Sequence, residues 1–257
     1  HGVGRYAKYF LPQIEYFKNK TRVIALDLPG YGKSDDLKKP WKGQLHAKAI
    51  KKFVHQLNLE SVVLIGHSYG SNVALNALDE IKTKVKKVVF LTLPGVQEFT
   101  QEDEKWLKEN YFSKLNTHTT DKEIINYFDF ILAFEKNPTT EMFLKENLGL
   151  ALSGDFSNTL ATRNQVALND ANLEETAKRI AIFKKAEIPM LILSGNQDRM
   201  TPAFQPAENF RPKIEDYYED IVAKNHLCSY QLIKDCGHLL NLEKPEEVNK
   251  IIDHFVF

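Results

Sequence analysis

Five short apolar runs constrain the fold of this chain more than any other feature of its sequence. They are rich in Val, Ile and Leu and cover Arg22 to Asp27, Ser61 to Gly66, Lys87 to Leu93, Pro189 to Gly195 and Cys228 to Asp235. Four of the five are nearly continuous in apolar residues, which is typical of strands that are buried on both faces. Segments with helical spacing separate the runs. The order of elements therefore predicts an α/β fold with a mostly parallel sheet and helices on both faces.

The helical segments carry apolar residues three or four positions apart. These residues are Tyr6, Phe10, Ile14 and Phe17 in one segment, and Ile50, Phe53, Val54 and Leu57 in the next. A closing helix is predicted from about Glu243, because Pro245 and two glutamates occupy its first turn.

One long interval, from Val96 to about Ala186, has no strand pattern and contains helical segments rich in aromatic residues. We predict that residues 96–186 form a helical cap inserted into a core domain made of residues 1–95 and 187–257. If such a cap covers the site, its aromatic side chains would line an apolar substrate pocket. The candidates are Trp106, Phe130 and Phe134, although packing of the cap onto the core would explain any one of them.

Charge, hydropathy and cysteine content exclude a nucleic-acid partner, a membrane span and a disulfide framework as expectations for this chain. Lys plus Arg total 34 and Asp plus Glu total 34, so the formal net charge of zero predicts no nucleic-acid partner. No run approaches 18 apolar residues, so we expect no membrane span. Two cysteines, Cys228 and Cys236, are too few for a disulfide framework. A reducing, cytoplasmic setting is the expectation, and the oligomeric state stays open.

The motif Gly66-His67-Ser68-Tyr69-Gly70 is the first candidate for chemistry. The G-x-S-x-G pattern alone is weak, because chains of this length contain it by chance. Here it follows a predicted buried strand and precedes a segment rich in small residues, which is the context of a nucleophile elbow. Glycines two positions either side of the serine relieve crowding at such a turn. We interpret Ser68 as a nucleophile.

A serine hydroxyl needs a base to take its proton, and His238 is the best placed of the eight histidines. It follows the last strand, after Gly237, in a loop that can return to the edge of the sheet where Ser68 lies. His67 is expected to be structural, since it would point away from Ser68 across the turn. The remaining candidates are expected to be surface residues: His46, His55, His118, His226 and His254.

The imidazole of the base needs a carboxylate to orient it. Asp198 comes just after the strand that precedes the last one, in the turn Asn196-Gln197-Asp198-Arg199. Parallel strands end at the same edge, so Asp198, Ser68 and His238 are predicted to meet there. Asp235, Glu98 and Asp103 are the alternatives for this role.

The fourth requirement is an oxyanion hole, a pair of N–H groups that stabilise the negative charge of the tetrahedral intermediate. The residue after the nucleophile, Tyr69, would supply one N–H. The loop His1-Gly2-Val3-Gly4 suits the second, with the N–H of Val3 as donor, because its glycines allow close approach of the backbone to a ligand.

Five pieces of the sequence together resemble the α/β-hydrolase superfamily, and in particular its capped, esterase-like serine hydrolases. They are "HGVG", "ALDLPGYGKSD", "LIGHSYGS", "ILSGNQDRMTP" and "GHLLNLEKPEEV", and they run in this order from one end of the chain to the other. The resemblance implies the α/β-hydrolase fold. It also implies a scaffold role for the turn formed by Asp27, Gly30, Gly32 and Ser34.

Three features depart from the family pattern. In the family, strands precede the His-Gly loop, so we expect the sequence, which begins at His1, to lack N-terminal strands. The segment between Asp198 and His238 is longer than usual and adds a helix of unknown purpose. The nucleophile is a serine and not an aspartate, so the resemblance to haloalkane dehalogenases and epoxide hydrolases does not extend to their chemistry.

The sequence thus predicts a serine hydrolase that cleaves a carboxylic ester of a small to medium apolar substrate through an acyl-enzyme. This mechanism requires no cofactor and no metal. The first alternative is another hydrolase built on the same triad, namely a thioesterase, C–C hydrolase, amidase or perhydrolase. The second, which the complete triad argues against, is a non-catalytic receptor on a hydrolase scaffold. Substrate identity stays open, because fold does not determine function.

Overall fold

The structure is a computed structural model of the chain. It describes residues 1–35, 42–98, 100–106, 109, 120, 122–123, 126, 136–152, 171–201 and 213–257. Within these ranges, no helix combines the length and the apolar character needed to cross a membrane.

Helices and strands alternate along the chain as the apolar runs predict. In chain order they are a 3-10 turn at Ala7–Phe10, α1 at Leu11–Phe17, α2 at Gly43–Gln56, β1 at Val62–His67, α3 at Tyr69–Glu80, a 3-10 turn at Lys82–Lys84, β2 at Val85–Leu91, α4 at Gln101–Trp106, α5 at Pro138–Leu152, α6 at Leu173–Lys185, β3 at Met190–Gly195, α7 at Ile214–Val222, β4 at Cys228–Ile233, α8 at Leu240–Glu243 and α9 at Pro245–Val256.

The four strands form one parallel sheet in the order β1-β2-β3-β4. Because all four run the same way, their C-terminal ends lie at one edge, and the loops after β1, β3 and β4 all start there. The predicted α/β fold with a mostly parallel sheet is confirmed.

Both faces of the sheet are covered by helices, which explains why the central strands carry continuous apolar runs, residues 88–91 in β2 and residues 190–193 in β3. In β2, Val88 and Phe90 face a core built with α3, α6 and α7. Val89 and Leu91 alternate with them and face a second core built with α1 and α9. All four side chains have zero exposed surface, as the two-residue period of a strand between two helical layers requires.

The prediction of a fifth strand at Arg22 to Asp27 is wrong. This segment has no strand assignment, and β1 is the end strand of the described sheet. Both segments line one cavity of about 560 Å³, to which Val23, Ile24, Val63 and Leu64 contribute. A strand exists only where a neighbouring strand pairs with it, and this apolar run is not paired with β1.

The helix between Asp198 and His238, whose purpose the sequence left open, is α7, and it packs on the sheet. The hydroxyl of Tyr218 accepts a hydrogen bond from the N–H of Leu93 at 3.0 Å. Its ring stacks on Tyr230 of β4 with centroids 5.0 Å apart. The helix therefore completes the first helical layer.

Three of the described helices lie in the interval 96–186, namely α4, α5 and α6. Ile180 and Phe183 of α6 belong to the first core, whereas Phe143 of α5 packs on Tyr9 with ring centroids 4.1 Å apart. The division of the chain into a core of residues 1–95 and 187–257 and a cap of residues 96–186 stays a prediction.

The turn around Asp27 ties the N-terminal loop to the rest of the domain. The carboxylate of Asp27 accepts hydrogen bonds from the N–H of Ala7 at 2.6 Å and of Lys33 at 2.9 Å. The hydroxyl of Ser34 donates to the carbonyl oxygen of Asp27 at 2.6 Å. These bonds give the stretch the scaffold role that the family resemblance implies.

Gly32 makes this turn possible, and its replacement gives a test. It has φ +56°, and an added Cβ would lie 2.4 Å from the carboxylate of Asp27. We expect Gly32→Ala to lower the free energy of unfolding by about 2 to 4 kcal/mol, measured by urea denaturation. Gly4→Ala is the matched control, since Gly4 has φ +69° but open space around the added atom. It should cost about 1 kcal/mol. Equal losses in the two variants would contradict the role of Asp27.

Candidate active site

Ser68 lies in a strained turn between β1 and α3. Its backbone has φ 53° and ψ −121°, and a positive φ is uncommon for a residue other than glycine. An added Cβ at Gly66 would lie 2.4 Å from the carbonyl oxygen of Gly70, and one at Gly70 would lie 2.7 Å from the carbonyl oxygen of His1. Both glycines are therefore required by close backbone contacts, and the turn has the geometry of a nucleophile elbow.

His238 and Asp198 form a buried pair at the same edge of the sheet. The Nδ1 of His238 lies 2.9 Å from an Oδ of Asp198, and the two residues are 5% and 6% exposed. The second carboxylate oxygen accepts N–H bonds from Met200 at 2.7 Å and Thr201 at 3.0 Å. Since a carboxylate accepts, Nδ1 of His238 carries a proton, so in the neutral imidazole the lone pair is on Nε2.

Two of the three alternatives to Asp198 have other partners. The carboxylate of Asp103 accepts bonds from the N–H and hydroxyl of Thr100, and Glu98 lies 3.8 Å from Lys184. Asp235 is in the turn after β4 with φ 48°. Asp198 is thus the predicted candidate that the structure places on the imidazole of His238.

His67 connects Ser68 to the loop of His238. The Nε2 of His67 lies 2.8 Å from the carbonyl oxygen of His238, and the two rings lie 4.9 Å apart. His67 is the residue before Ser68, so this contact brings the loop of His238 to the elbow. The structure thus places Ser68, His238 and Asp198 in one region.

The loop from His1 to Gly4 packs directly against the elbow. An added Cβ at Gly2 would lie 3.3 Å from the Cβ of Ser68. Val3 packs in a small cluster that includes Tyr69. The structure therefore places both residues proposed as oxyanion donors, Val3 and Tyr69, beside Ser68.

The ring of His1 holds this loop in place. Its Nε2 accepts a bond from the N–H of Leu28 at 2.9 Å, and its Nδ1 lies 3.0 Å from the carbonyl oxygen of Gly2. His1 thereby ties the loop to the turn after Asp27.

The expectation that His46 is a surface residue is wrong. Its side chain has no exposed surface, and its Nε2 lies 3.0 Å from the carbonyl oxygen of Pro29. A carbonyl accepts, so Nε2 carries the proton, and Nδ1 accepts from the hydroxyl of Tyr69 at 2.6 Å. The spacing from His46 to Ile50 and Phe53 on α2 was the available signal, because it places His46 on the apolar face of that helix.

Four histidines remain from the set that was expected at the surface. His55, His226 and His254 are exposed, as expected, and His118 lies outside the described residues.

Of the three candidates for the substrate pocket, one is described. Trp106 is partly buried at the end of α4. Phe130 and Phe134 lie outside the described residues. Their roles stay predictions.

Burial keeps His67 neutral. Removal from water, and next the neighbouring His238, hold the pKa of His67 well below its usual value. The neutral ring can still make its contact, with its one proton on Nε2 for the carbonyl oxygen of His238.

This burial predicts a loss of stability in acid. The unfolded chain protonates His67 below about pH 6.5, whereas the folded chain does so only at lower pH. The unfolded state then binds more protons, so the free energy of unfolding should fall as the pH falls below this value. The slope from one such group is up to about 1.4 kcal/mol per pH unit.

Urea denaturation between pH 7 and pH 5 measures this slope in the wild type and in His67→Gln. The variant should show the shallower pH dependence. His226→Gln removes an exposed histidine and should leave the slope unchanged. The same slope in wild type and His67→Gln would show that His67 does not stay neutral.

The comparisons with known proteins agree with the fold. A family model for the alpha/beta hydrolase fold matches residues 1–245. The chain is also similar to a solved esterase from Exiguobacterium antarcticum, with a TM-score of 0.75, 20% identity, and coverage of 100% of this chain and 89% of the esterase. At this identity the similarity concerns the fold alone.

Two curated proteins are similar in sequence. A 2-hydroxy-6-oxononadienedioate/2-hydroxy-6-oxononatrienedioate hydrolase of Klebsiella pneumoniae is 25% identical over 243 residues, covering 91% of this chain and 76% of that protein. An (E)-2-((N-methylformamido)methylene)succinate hydrolase of Acinetobacter baylyi is 45% identical over 71 residues. That match spans 28% of this chain and only 27% of the relative.

Proposed function

The chain belongs to the α/β-hydrolase family, and on that premise we propose that it is a serine hydrolase that cleaves a carboxylic ester. The observation that carries the proposal is the 2.9 Å bond between Nδ1 of His238 and the carboxylate of Asp198. It lies at the sheet edge where Ser68 occupies its strained turn. A nucleophile, a base and an orienting carboxylate are the three groups that acyl transfer through serine requires.

The first step follows from the protonation state of His238. Because Asp198 holds the proton on Nδ1, the lone pair on Nε2 is available to take the proton of the Ser68 hydroxyl. The serine oxygen attacks the ester carbonyl as it loses this proton. The imidazolium that forms is stabilised by the adjacent carboxylate, which stays ionised.

The N–H groups of Val3 and Tyr69 would stabilise the oxyanion of the tetrahedral intermediate. Two arrangements support this assignment. The loop of Val3 lies close to the serine, since an added Cβ at Gly2 would be 3.3 Å from the Cβ of Ser68. Tyr69 is the first residue of α3, where N–H groups point out of the helix and its dipole favours negative charge.

The second half of the reaction uses the same groups. His238 gives its proton to the leaving alcohol, then takes one from a water molecule that attacks the acyl-enzyme. The second tetrahedral intermediate then breaks its bond to Oγ of Ser68 as His238 returns the proton to that oxygen, which releases the acid and restores both residues. Each step uses side chains and N–H groups of this chain and calls for no cofactor. An apolar pocket lined by Trp106, Phe130 and Phe134 would favour a small to medium apolar substrate.

A second candidate function is the hydrolysis of a C–C bond in an oxo acid. It is favoured by the similarity over 243 residues to the Klebsiella pneumoniae hydrolase, whose name specifies a 2-hydroxy-6-oxo dienedioate. The same base and oxyanion donors would serve this reaction. In this reaction the proton would go to a carbon atom of the leaving group. In ester hydrolysis it goes to the oxygen of the leaving alcohol.

Replacement of Ser68 tests the nucleophile. Ser68→Ala should lower kcat on p-nitrophenyl esters by about 10⁴-fold or more, because the group that bonds the acyl carbon is removed. A panel of esters of graded chain length, run beside a 2-hydroxy-6-oxo dienedioate, separates the two candidate functions by their kcat/KM values.

Ser61→Ala is the control for this variant, since Ser61 is exposed before β1, and it should keep wild-type activity. A fluorophosphonate probe should label Ser68 and no other residue. Labelling elsewhere, or turnover that survives in Ser68→Ala, would refute the assignment.

Replacement of Asp198 tests the orienting carboxylate. In Asp198→Asn the amide can donate to Nδ1 and would turn the proton of His238 to Nε2, facing Ser68. We expect kcat to fall by about 10³- to 10⁴-fold with little change in KM, since the imidazole can no longer accept the serine proton. Steady-state kinetics on the best ester measure this. Asp220→Asn, at an exposed position on α7, is the matched control, and an equal loss in both variants would disprove the role of Asp198.

A further inference from the structure

The loop that carries His238 is held by a buried carboxylate that the proposed mechanism does not use. Glu243 is 2% exposed. One of its oxygens accepts the N–H of Gly237 at 2.9 Å, and the other accepts the N–H of Leu239 at 3.2 Å. These two N–H groups belong to the residues on either side of His238. A single side chain therefore holds the backbone before and after the base.

A second buried side chain holds the backbone of His238 itself. The Nε2–H of His67 donates to the carbonyl oxygen of His238 at 2.8 Å. The peptide groups around His238 are thus bonded at three successive points, by Glu243, His67 and again Glu243. The two side chains come from different parts of the fold, His67 from the end of β1 and Glu243 from α8.

The same loop is also bonded to the turn of Asp198. The N–H of Gln197 donates to the carbonyl oxygen of Cys236 at 2.9 Å. An added Cβ at Gly195 would lie 2.1 Å from that same oxygen, so the two loops are in direct backbone contact. The relative position of His238 and Asp198 therefore depends on where the backbone of residues 236–239 lies.

The chemistry of Glu243 fits a role in the site better than a role in the core. Burial raises the pKa of this carboxyl, while the N–H bonds from Gly237 and Leu239 oppose the rise. A buried carboxylate is costly, and an apolar side chain of similar volume often serves stability better. What an apolar side chain cannot do is bond two N–H groups that flank the base.

We propose that Glu243 and His67 are positioning residues that fix the backbone around His238, so that its imidazole keeps its alignment with Asp198 and Ser68. The inference rests on the proposed function of Ser68 and His238. A displacement of about 1 Å in a catalytic group costs up to about 100-fold in rate. The contribution of both residues is therefore to kcat, with KM nearly unchanged.

Variants of Glu243 test the first half. Glu243→Gln keeps the size of the side chain but leaves one oxygen for two N–H groups, and Glu243→Ala leaves none. We expect kcat to fall by about 10-fold and about 100-fold respectively, with KM within about twofold of wild type. Glu247→Gln makes the same chemical change at an exposed position of α9 and should keep wild-type kcat. Wild-type kcat in Glu243→Ala would overturn the proposal.

Variants of His67 test the second half. His67→Gln keeps an N–H donor at a similar distance from the main chain, whereas His67→Met has similar bulk and no donor. If the contact with the carbonyl oxygen of His238 positions the base, His67→Gln should retain at least about tenfold more kcat than His67→Met. Equal kcat in the two folded variants would show that His67 acts through packing alone and would overturn its part in the proposal.

Amide hydrogen exchange gives a readout that does not depend on activity. In the wild type, the amides of Gly237 and Leu239 should be protected. In Glu243→Gln one of the two should lose at least about tenfold of its protection, and in Glu243→Ala both should, while Leu191 in the sheet stays unchanged. Exchange of both amides at the same rate in wild type and variants would overturn the proposal, whether or not the enzyme turns over esters.

The proposed function and the positioning role of Glu243 would be refuted by different results. A wild type without Ser68-dependent turnover would refute the proposed function, and the exchange data would still decide whether Glu243 holds the loop. If Glu243→Ala does not fold, Glu243→Gln decides, because loss of protection at one amide and not the other is expected only from a side chain with one remaining acceptor.

Discussion

Backbone crowding around Ser68 is the constraint on which the rest of the site depends. The carbonyl oxygen of Gly70 leaves no room for a Cβ at Gly66, and the backbone of His1 leaves none at Gly70. Ser68 has φ 53° within this tightly packed turn, and such a strained conformation persists only where the surrounding structure holds it. The same close approach brings the loop of Gly2 and Val3 against the serine. One steric arrangement thus presents Ser68, the proposed nucleophile, and sets the backbone that would bind the oxyanion beside it.

The buried histidines of this region differ in the groups that their ring nitrogens bond. His1, His46 and His67 each use a ring nitrogen to bond a backbone group, of Leu28, Pro29 and His238 respectively. Such contacts fix a tautomer and hold loops together. His238 differs, because its ring faces the carboxylate of Asp198. A carboxylate partner stabilises the charged imidazolium, which is the species a general base must become.

The sequence predicted the parts of the fold that follow from local composition. Runs such as Val88 to Leu91 are apolar at every position because both faces are buried, so β2 and its neighbours were found. Arg22 to Asp27 has the same composition, yet a strand needs a paired neighbour, and composition carries no information on pairing. His46 was misjudged by its polarity, although its helical spacing indicated burial. The role of Glu243 arises from the path of the loop over α8, which no spacing along the chain reveals.

The two buried ionisable groups beside His238 also act on stability in opposite directions. Burial lowers the pKa of His67, so as the pH falls below its usual range the unfolded state gains protons first and the folded state loses stability. Burial raises the pKa of Glu243, so over the range above its usual value the folded state binds the proton more readily. Falling pH then adds stability from this residue. Between the usual pKa values of a glutamate and a histidine, the two residues therefore act in opposite directions as the pH falls. The loss of stability in acid that is expected from His67 is thus opposed by a carboxyl that is bonded to the same loop.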